Sequence, residues 1–399
     1  MGRTRALNEV IRMRFLDIYL RYQRDSIGCD EAADLLGISV SSFYRLRKRF
    51  DTEGDDGLVD RRLGKLSARR APVDEAVEVK RLFKSRYYDF NVKHFHEKLT
   101  THGIFRSYTW TKNLLQSAGL VAKAPRRGAH RRKRPRKPLP GMMLHQDGSQ
   151  HEWVPEKVWD LIVTMDDATN VIYSAFFIEE EGTMSTFRGI KEVITEQGLF
   201  CSLYVDRGSH YFYTPEAGAK VDKAKPTQVG RALRQLGIEI IPAYSPEARG
   251  RSERMFETLQ NRLPQELRVA GIITMEEANK YLRDQYLPQH NANFAVPAEE
   301  QGSAFTPWIG PGLDDILCIQ EKRSVSNDNT VRYNNKILQI PQDKHRFHYV
   351  KATVRVHEYP DKSLAVFHGP RCLAHYTPRG ELLEESTKNK EASGKADAA

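Results

Sequence analysis

Three carboxylates carry the most legible chemistry in this sequence: Asp147, Asp206 and Glu253. Asp147 follows the apolar-leading run 142–146, and Asp206 follows the run 200–205. Glu253 lies just inside a polar segment that begins near residue 249. Three carboxylates held together repel one another unless cations neutralise them. Hard oxygen ligands of this kind select Mg²⁺ or Mn²⁺. Two such ions about 4 Å apart activate an attacking oxygen and stabilise the leaving one at a phosphodiester. Taken singly, each acid has a plainer use: Asp147 as a cap before Gly148, Asp206 in an Asp-Arg-Gly turn, Glu253 as a helix charge beside Arg249 or Arg254. Asp166 and Asp167 compete for the second place. The stretch DDATN at 166–170 is turn chemistry, so a turn role is expected for both.

The elements that must position these acids read as an alternation. Strands are expected over 142–146, 161–165, 171–178, 200–205 and 238–241. Helices are expected over 183–197, 226–236 and from about 249 to 269, the last broken near Pro264. Thr183 is expected to cap the first helix, and Gly198 and Gly237 to stop the first two. This order predicts an α/β domain with a mixed sheet. With the first and fourth strands adjacent, Asp147 and Asp206 converge at one edge. The first turn of the last helix then brings Glu253 to the same point.

The blocks HQDGS (145–149), LYVDRGSHYF (203–212) and AYSPEARGRSERMFETLQ (243–260) resemble the three blocks of the retroviral-integrase superfamily. The chain is similar to bacterial insertion-sequence transposases with an integrase-type core, such as the ISNCY-like group. The resemblance runs from the N-terminal helices through NANFAVP (291–297) and into the C-terminal part. It implies a ribonuclease-H-like core in which Asp147, Asp206 and Glu253 are the catalytic, metal-binding DDE triad, holding two Mg²⁺ or Mn²⁺ ions. It implies cutting and joining of DNA at transposon ends and target, by a homo-oligomer assembled on DNA. Two features depart from the pattern. The interval from Asp206 to Glu253 is long, with a Lys-rich insert at 214–227. Glu257 and Gln260 stand where retroviral integrases carry lysines, leaving Arg249, Arg251, Arg254 and Arg262 to supply positive charge. The run 246–250, PEARG, resembles the mobile active-site loop of integrases.

The N-terminal part reads as helices. Ile11, Phe15, Tyr19 and Tyr22 recur at helical spacing. Asp30 is expected to cap a short helix that Gly37 ends, and Ser39 to cap the next. That next helix buries Val40, Phe43, Leu46 and Phe50 and exposes Ser41, Ser42, Arg45, Arg47, Lys48 and Arg49. A Gly-containing turn between two helices with a basic outer face predicts a helix-turn-helix that binds DNA. Helices over 73–87, 92–102 and 108–118 predict a second such unit. His94 and His96 lack a nearby Cys to complete a zinc site. Between these helices and the core lies a basic stretch in which eight of the twelve residues 126–137 are Arg or Lys, among them Arg126, Arg127, Arg131, Arg132, Lys133 and Arg134. Laid along DNA, such a run releases counterions from phosphates.

The expected architecture is multidomain: all-α helix-turn-helix units at 1–70 and 71–125, a basic linker at 126–140, an α/β core with a mixed sheet at 141–305, a small β-barrel at 316–378 and a disordered tail at 379–399. Strands over 330–333, 336–340, 351–359, 364–368 and 371–375 predict the barrel, which in integrase-like proteins is SH3-like and binds DNA. A linker is expected between Pro307 and Asp315. The net charge of +10 suits a polyanionic partner. Cys29, Cys201, Cys318 and Cys372 are scattered, as in a reducing compartment. No run reaches the length of a membrane span. A soluble, cytoplasmic, nucleoid-associated protein with no small-molecule substrate is expected. The alternative is a DNA-binding regulator with an inactive core.

Overall fold

A computed structural model describes residues 2–59, 70–123, 135–213, 225–244, 246–310, 312–342 and 346–383, with backbone alone at 2–8, 11 and 246–249. The chain forms two compact units, 1–78 and 79–399. In the first, α1 (Gly2–Gln23), α2 (Cys29–Leu36) and α3 (Val40–Glu53) pack around Phe15, Ile18, Tyr19, Ala32, Ala33 and Phe43. Gly37 turns left-handed between α2 and α3 at φ 70°, and the Ser39 side chain caps α3 through the Ser42 N–H. The cap of α2 is Gly28 rather than Asp30, which stands in the first turn, where its charge favours the helix dipole.

Helix α4 (Val73–Ser85) spans the division between the units. Within the second unit α5 (Val92–Leu99) and α6 (Tyr108–Ser117) close on Val79, Phe83, Phe95, Leu99 and Leu115. A mixed sheet follows, the arrangement expected of a ribonuclease-H-like core. It is built of β1 (Leu144–Val154), β2 (Lys157–Asp166), β3 (Ile172–Ile178), β4 (Ser202–Val205) and β5 (Glu239–Pro242) in the order β3-β2-β1-β4-β5. The first three strands are antiparallel, and β1-β4-β5 run parallel. Helices α7 (Thr183–Glu196) and α8 (Gln228–Leu236) cover one face, packing Phe187, Ile190, Val229 and Leu233 against Leu144 and Leu203. Gly182, not Thr183, stands at the N-cap of α7, its N–H bonded to Ser185 Oγ.

The other face is covered by α9 (Pro246–Gln260), α10 (Leu263–Ala270) and α11 (Met275–Tyr281), which continues through a π-helical turn at Leu282–Tyr286 into α12 (Leu287–Phe294). Met255, Phe256, Leu259 and Leu263 pack there on Trp153, Leu161 and Phe177. The break before Pro264 falls where expected, with proline in the first turn of α10. The expected linker is docked: Phe305, Trp308 and Leu313 pack on the α7–α8 side, and Thr306 bridges to Leu199.

The C-terminal strands are β6 (Ile319–Ser324), β7 (Thr330–Tyr333), β8 (Lys336–Gln339), β9 (Thr353–Glu358), β10 (Leu364–His368), β11 (Arg371–Tyr376) and β12 (Leu382–Leu383). Among the described residues they pair as a five-stranded antiparallel sheet, β12-β11-β10-β9-β6, and a separate β7-β8 hairpin around one core, not as a closed barrel. Two strands, β6 and β12, lie outside the sequence expectation. The second begins inside the stretch expected to be disordered, because Leu382 and Leu383 find partners on β11. Residues 384–399 lie outside the described residues. No helix among those described is long and apolar enough to cross a membrane.

Candidate active site

Strand register decides where the two aspartates stand. Leu144 of β1 lies opposite Leu203 of β4, and His145 opposite Tyr204. Two residues further along each parallel strand, Asp147 is level with Asp206. Adjacent strands are about 4.8 Å apart, and side chains two residues apart share a face. Both carboxylates therefore project on the face of His145 and Tyr204, whose rings meet edge to face at 5.1 Å. Both aspartates are half-buried, and Asp206 Oδ1 accepts the Gly208 N–H at 2.8 Å. Asp206 follows its strand as expected. Asp147 does not end its strand: β1 runs on to Val154 because it is paired with β2 along its length. Asp147 stands instead where β1 parts from β4.

Glu253 is placed differently. Helix α9 begins at Pro246, so Glu253 lies beyond its first turn, and the expected loop 246–250 is helical in its backbone. Ser252, Met255, Phe256 and Leu259 are buried, while Glu253 is exposed. Gln260 Nε2 donates to Ser149 Oγ at 2.9 Å. Ser149 shares the strand face of Asp147, and Gln260 lies two turns after Glu253 on one helix stripe. The stripe bearing Glu253 therefore faces the strand bearing Asp147. Among the described residues no three His, Cys, Asp or Glu side chains lie close enough together to hold a metal ion. The fold aligns the aspartates and leaves Glu253 on a neighbouring stripe outside that pair.

Sequence reasoning missed Glu181, His210 and Tyr211. Glu181 rises from the opposite sheet face beside Gly148, where a Cβ would lie 2.2 Å from Glu181 Oε2. A side chain at 148 would require the Glu181 carboxylate to swing aside. His210 Nε2 lies 3.5 Å from Glu181 Oε1. Tyr211 is buried and donates to Gln146 Oε1 at 3.3 Å. Burial first, and then the charges of Glu181, Asp147 and Asp206, hold its phenol well above the usual range. The segment GSHYF after Asp206 was the available signal, but only the fold brings Glu181 to it.

Asp166 fills the turn role: its Oδ2 accepts the Thr169 N–H and hydroxyl, and its Oδ1 the Gly141 N–H. Asp167 does not. Its carboxylate accepts from His145 and Arg251 and from the Lys137 N–H, partners on three other segments. Arg251 is thereby committed within the core, as is Arg262, which bonds Glu97 Oε2 at 2.6 Å. Arg254 is exposed, and the side chain of Arg249 lies outside the described residues, as do Arg126, Arg127, Arg131, Arg132, Lys133 and Arg134.

On α3, Ser41, Arg45 and Lys48 are exposed, as expected, and Ser42 is half-exposed. Arg47 and Arg49 are half-buried instead. Arg47 donates to the Tyr22 hydroxyl and lies over the Tyr44 ring, and Arg49 donates to the Val59 carbonyl. In the second unit, α5 is docked on the core: His94 Nε2 and Lys98 Nζ meet Glu266 Oε1 at 2.7 and 2.5 Å. The insert after Asp206 has a closed neck. Thr227 Oγ1 donates to the Tyr211 carbonyl at 2.9 Å, and Lys225 lies over the Tyr213 ring. Residues 214–224 lie outside the described residues.

Residues 16–66 match a family described as a helix-turn-helix domain. The chain is 29% identical over 340 residues to a Sinorhizobium fredii protein named as a transposase, covering 84% of this chain and 74% of that one. It is 28% identical over 221 residues to the transposase for insertion sequence IS1202 of Streptococcus pneumoniae, covering 55% of this chain and 47% of the relative's length. Among solved structures, the simian T-cell lymphotropic virus intasome aligns at 15% identity and a TM-score of 0.32, over 72% of this chain and 93% of that one. The HTLV-2 integrase catalytic core aligns at 15% and 0.29, over 37% and 88%. The chain is thus similar over most of its length to a protein named as a transposase and over about half of it to the transposase of an insertion sequence, and its residues 16–66 match a helix-turn-helix domain.

Proposed function

We propose that this chain is a DNA transposase that cuts at transposon ends and joins the freed 3′-OH to target DNA, with Asp147, Asp206 and Glu253 as its catalytic acids. The observation that carries the reading is the β1–β4 register, which aligns Asp147 with Asp206 on the face covered by α9. Similarity to transposases over most of the chain supports the same reading. Mg²⁺ or Mn²⁺, two ions in all, would be held by the three acids and would activate the attacking oxygen and neutralise charge at the phosphodiester. The raised Tyr211 phenol is in keeping with this, since after burial the negative charges of Glu181, Asp147 and Asp206 contribute to it.

The chain's own residues have separate tasks. Asp147 and Asp206 are prealigned by backbone register. Glu253 completes the set from its helix stripe. The outer face of α3, with Ser41, Ser42, Arg45 and Lys48, reads the end sequence, and the basic run 126–134 tracks phosphates. Water attacks first, releasing the 3′-OH, which then attacks a target phosphodiester in line, with no covalent protein–DNA intermediate. Two ends must be brought together, so the active form is a multimer on DNA.

The test is a strand-transfer assay with a duplex copied from the inverted repeats that flank the reading frame, a supercoiled plasmid target and Mg²⁺ or Mn²⁺. The parent joins the two, and Asp206→Asn binds the duplex but neither cuts nor joins. A mutant that joins as well as the parent removes the catalytic reading and leaves a DNA-binding regulator.

A further inference from the structure

We infer that Asp167 is a positioning residue that locks the catalytic helix α9, and with it Glu253, to the strand that carries Asp147. The inference rests on the reading of Asp147, Asp206 and Glu253 as the catalytic acids. Asp167 follows β2 and its side chain is fully buried. Its Oδ1 accepts from His145 Nε2 at 2.8 Å and is ion-paired with Arg251 Nη1. Its Oδ2 accepts the Lys137 N–H at 2.8 Å, and its carbonyl accepts from Arg136 Nη1 at 2.9 Å. His145 lies two residues before Asp147, and Arg251 two residues before Glu253. One carboxylate thus touches the strand of the first acid, the helix of the third, and the chain arriving from the basic run.

A buried carboxylate needs such donors, because an unpartnered charge cannot remain in the interior. The rest of the attachment of α9 is mostly apolar, through Met255, Phe256 and Leu259. Apolar packing holds a helix in place but is non-directional, so it sets rotation and sliding only loosely. Polar pins set them. Arg251 to Asp167 and Gln260 to Ser149 lie on either side of Glu253 along the helix. Together they fix the phase of the stripe that presents Glu253, and displacement of a reacting group by about 1 Å can lower a rate by up to about 10²-fold.

The test uses the full-length protein in the strand-transfer assay above, with hydrogen exchange on the metal-free, DNA-free protein as a second readout. Arg251→Met lowers kcat at least about tenfold, leaves KM for the duplex within about twofold of the parent, and speeds amide exchange over 250–256. Arg251→Lys, which keeps the charge, recovers most of kcat and of the protection. Parent-like kcat in folded Arg251→Met, or unchanged exchange over 250–256, overturns the inference. If Arg251→Met does not fold, the same readouts on Arg251→Gln decide by the same criteria. Asp206→Asn run alongside separates the two levels: activity in that variant removes the catalytic reading itself, whereas its inactivity beside a fully active Arg251→Met removes only the positioning role.

Discussion

Two regions of the core carry the proposed catalytic acids by different means. The sheet delivers Asp147 and Asp206 through backbone register, which slips only in whole-residue steps and reverses the faces when it does. Helix α9 delivers Glu253 on an apolar seam steadied by side-chain contacts at Arg251 and Gln260. The first arrangement is all-or-none, whereas the second is adjustable. The strand pair is therefore expected to be assembled before any ligand arrives, and the helix to be where assembly is completed.

The largest expected effect breaks the rigid half. Asp206→Asn or Asp147→Asn lowers cleavage and joining by at least about 10³-fold, while gel-shift affinity for the flanking repeat stays within about twofold. Activity within tenfold of the parent would show that the aligned pair is not the reaction centre. Next, Gly148→Ala places a methyl where Glu181 Oε2 stands. It is expected to swing the Glu181 carboxylate aside and lower kcat several-fold, with little change in stability. Parent-like kinetics would mean that Glu181 is free to leave. On the adjustable side, Gln260→Ala removes the Ser149 pin and is expected to lower kcat by only a few-fold, with DNA affinity unchanged. A loss as large as that of Asp206→Asn would erase the distinction between the two regions.

A separate measurement, the pH dependence of stability, reads the buried histidines and carboxylates rather than the register. Burial lowers His94, and brings His290 and His357 down to about 4. Their folded values lie below the unfolded one, so the stability they contribute is complete above about pH 6.5 and is lost as pH falls toward 4, at up to ~1.4 kcal/mol per unit for each imidazole. Asp167 and Glu266 are lowered against the effect of burial, Asp167 by the His145 and Lys137 hydrogen bonds and Glu266 by those of His94 and Lys98. Their contribution is lost at more acid pH, through and below the ordinary carboxylate range. Calorimetry on the full chain should give a Tm that declines from pH 7 to pH 5. A flat Tm over that window contradicts buried neutral histidines.

The sequence made the five core strands and the two aspartates legible, because each aspartate follows a short run that periodicity detects, while the order β3-β2-β1-β4-β5 came only with the fold. It concealed the length of β1, because residues 148–152 are an unbroken polar run, and the turn into β2 is made by Glu156 at φ 66°, an unusual residue for that conformation. It concealed the start of α9 because Pro246 and Gly250 look like loop residues, although proline suits a first helical turn. Strand β6, with the charged run QEKR inside it, hid for a similar reason. Glu181 was not seen as a site residue, and Asp167, weighed for the second catalytic place, was given a turn role, because their partners are distant in sequence: Asp167 is 22 residues from His145 and 84 from Arg251. Local pattern reports which element a residue occupies, and only packing reports which carboxylate it meets.

The closed neck between Tyr211 and Thr227 has a consequence for how this chain can be altered. The hydrogen bond and the Lys225–Tyr213 contact bring the two ends of the intervening segment together independently of what lies between them. Each doubling of the span between two joined ends costs only about 0.6 kcal/mol in closure entropy. An epitope, a fluorophore tether or a small targeting module spliced between residues 213 and 225 is thus expected to leave the Asp147–Asp206 register as it is.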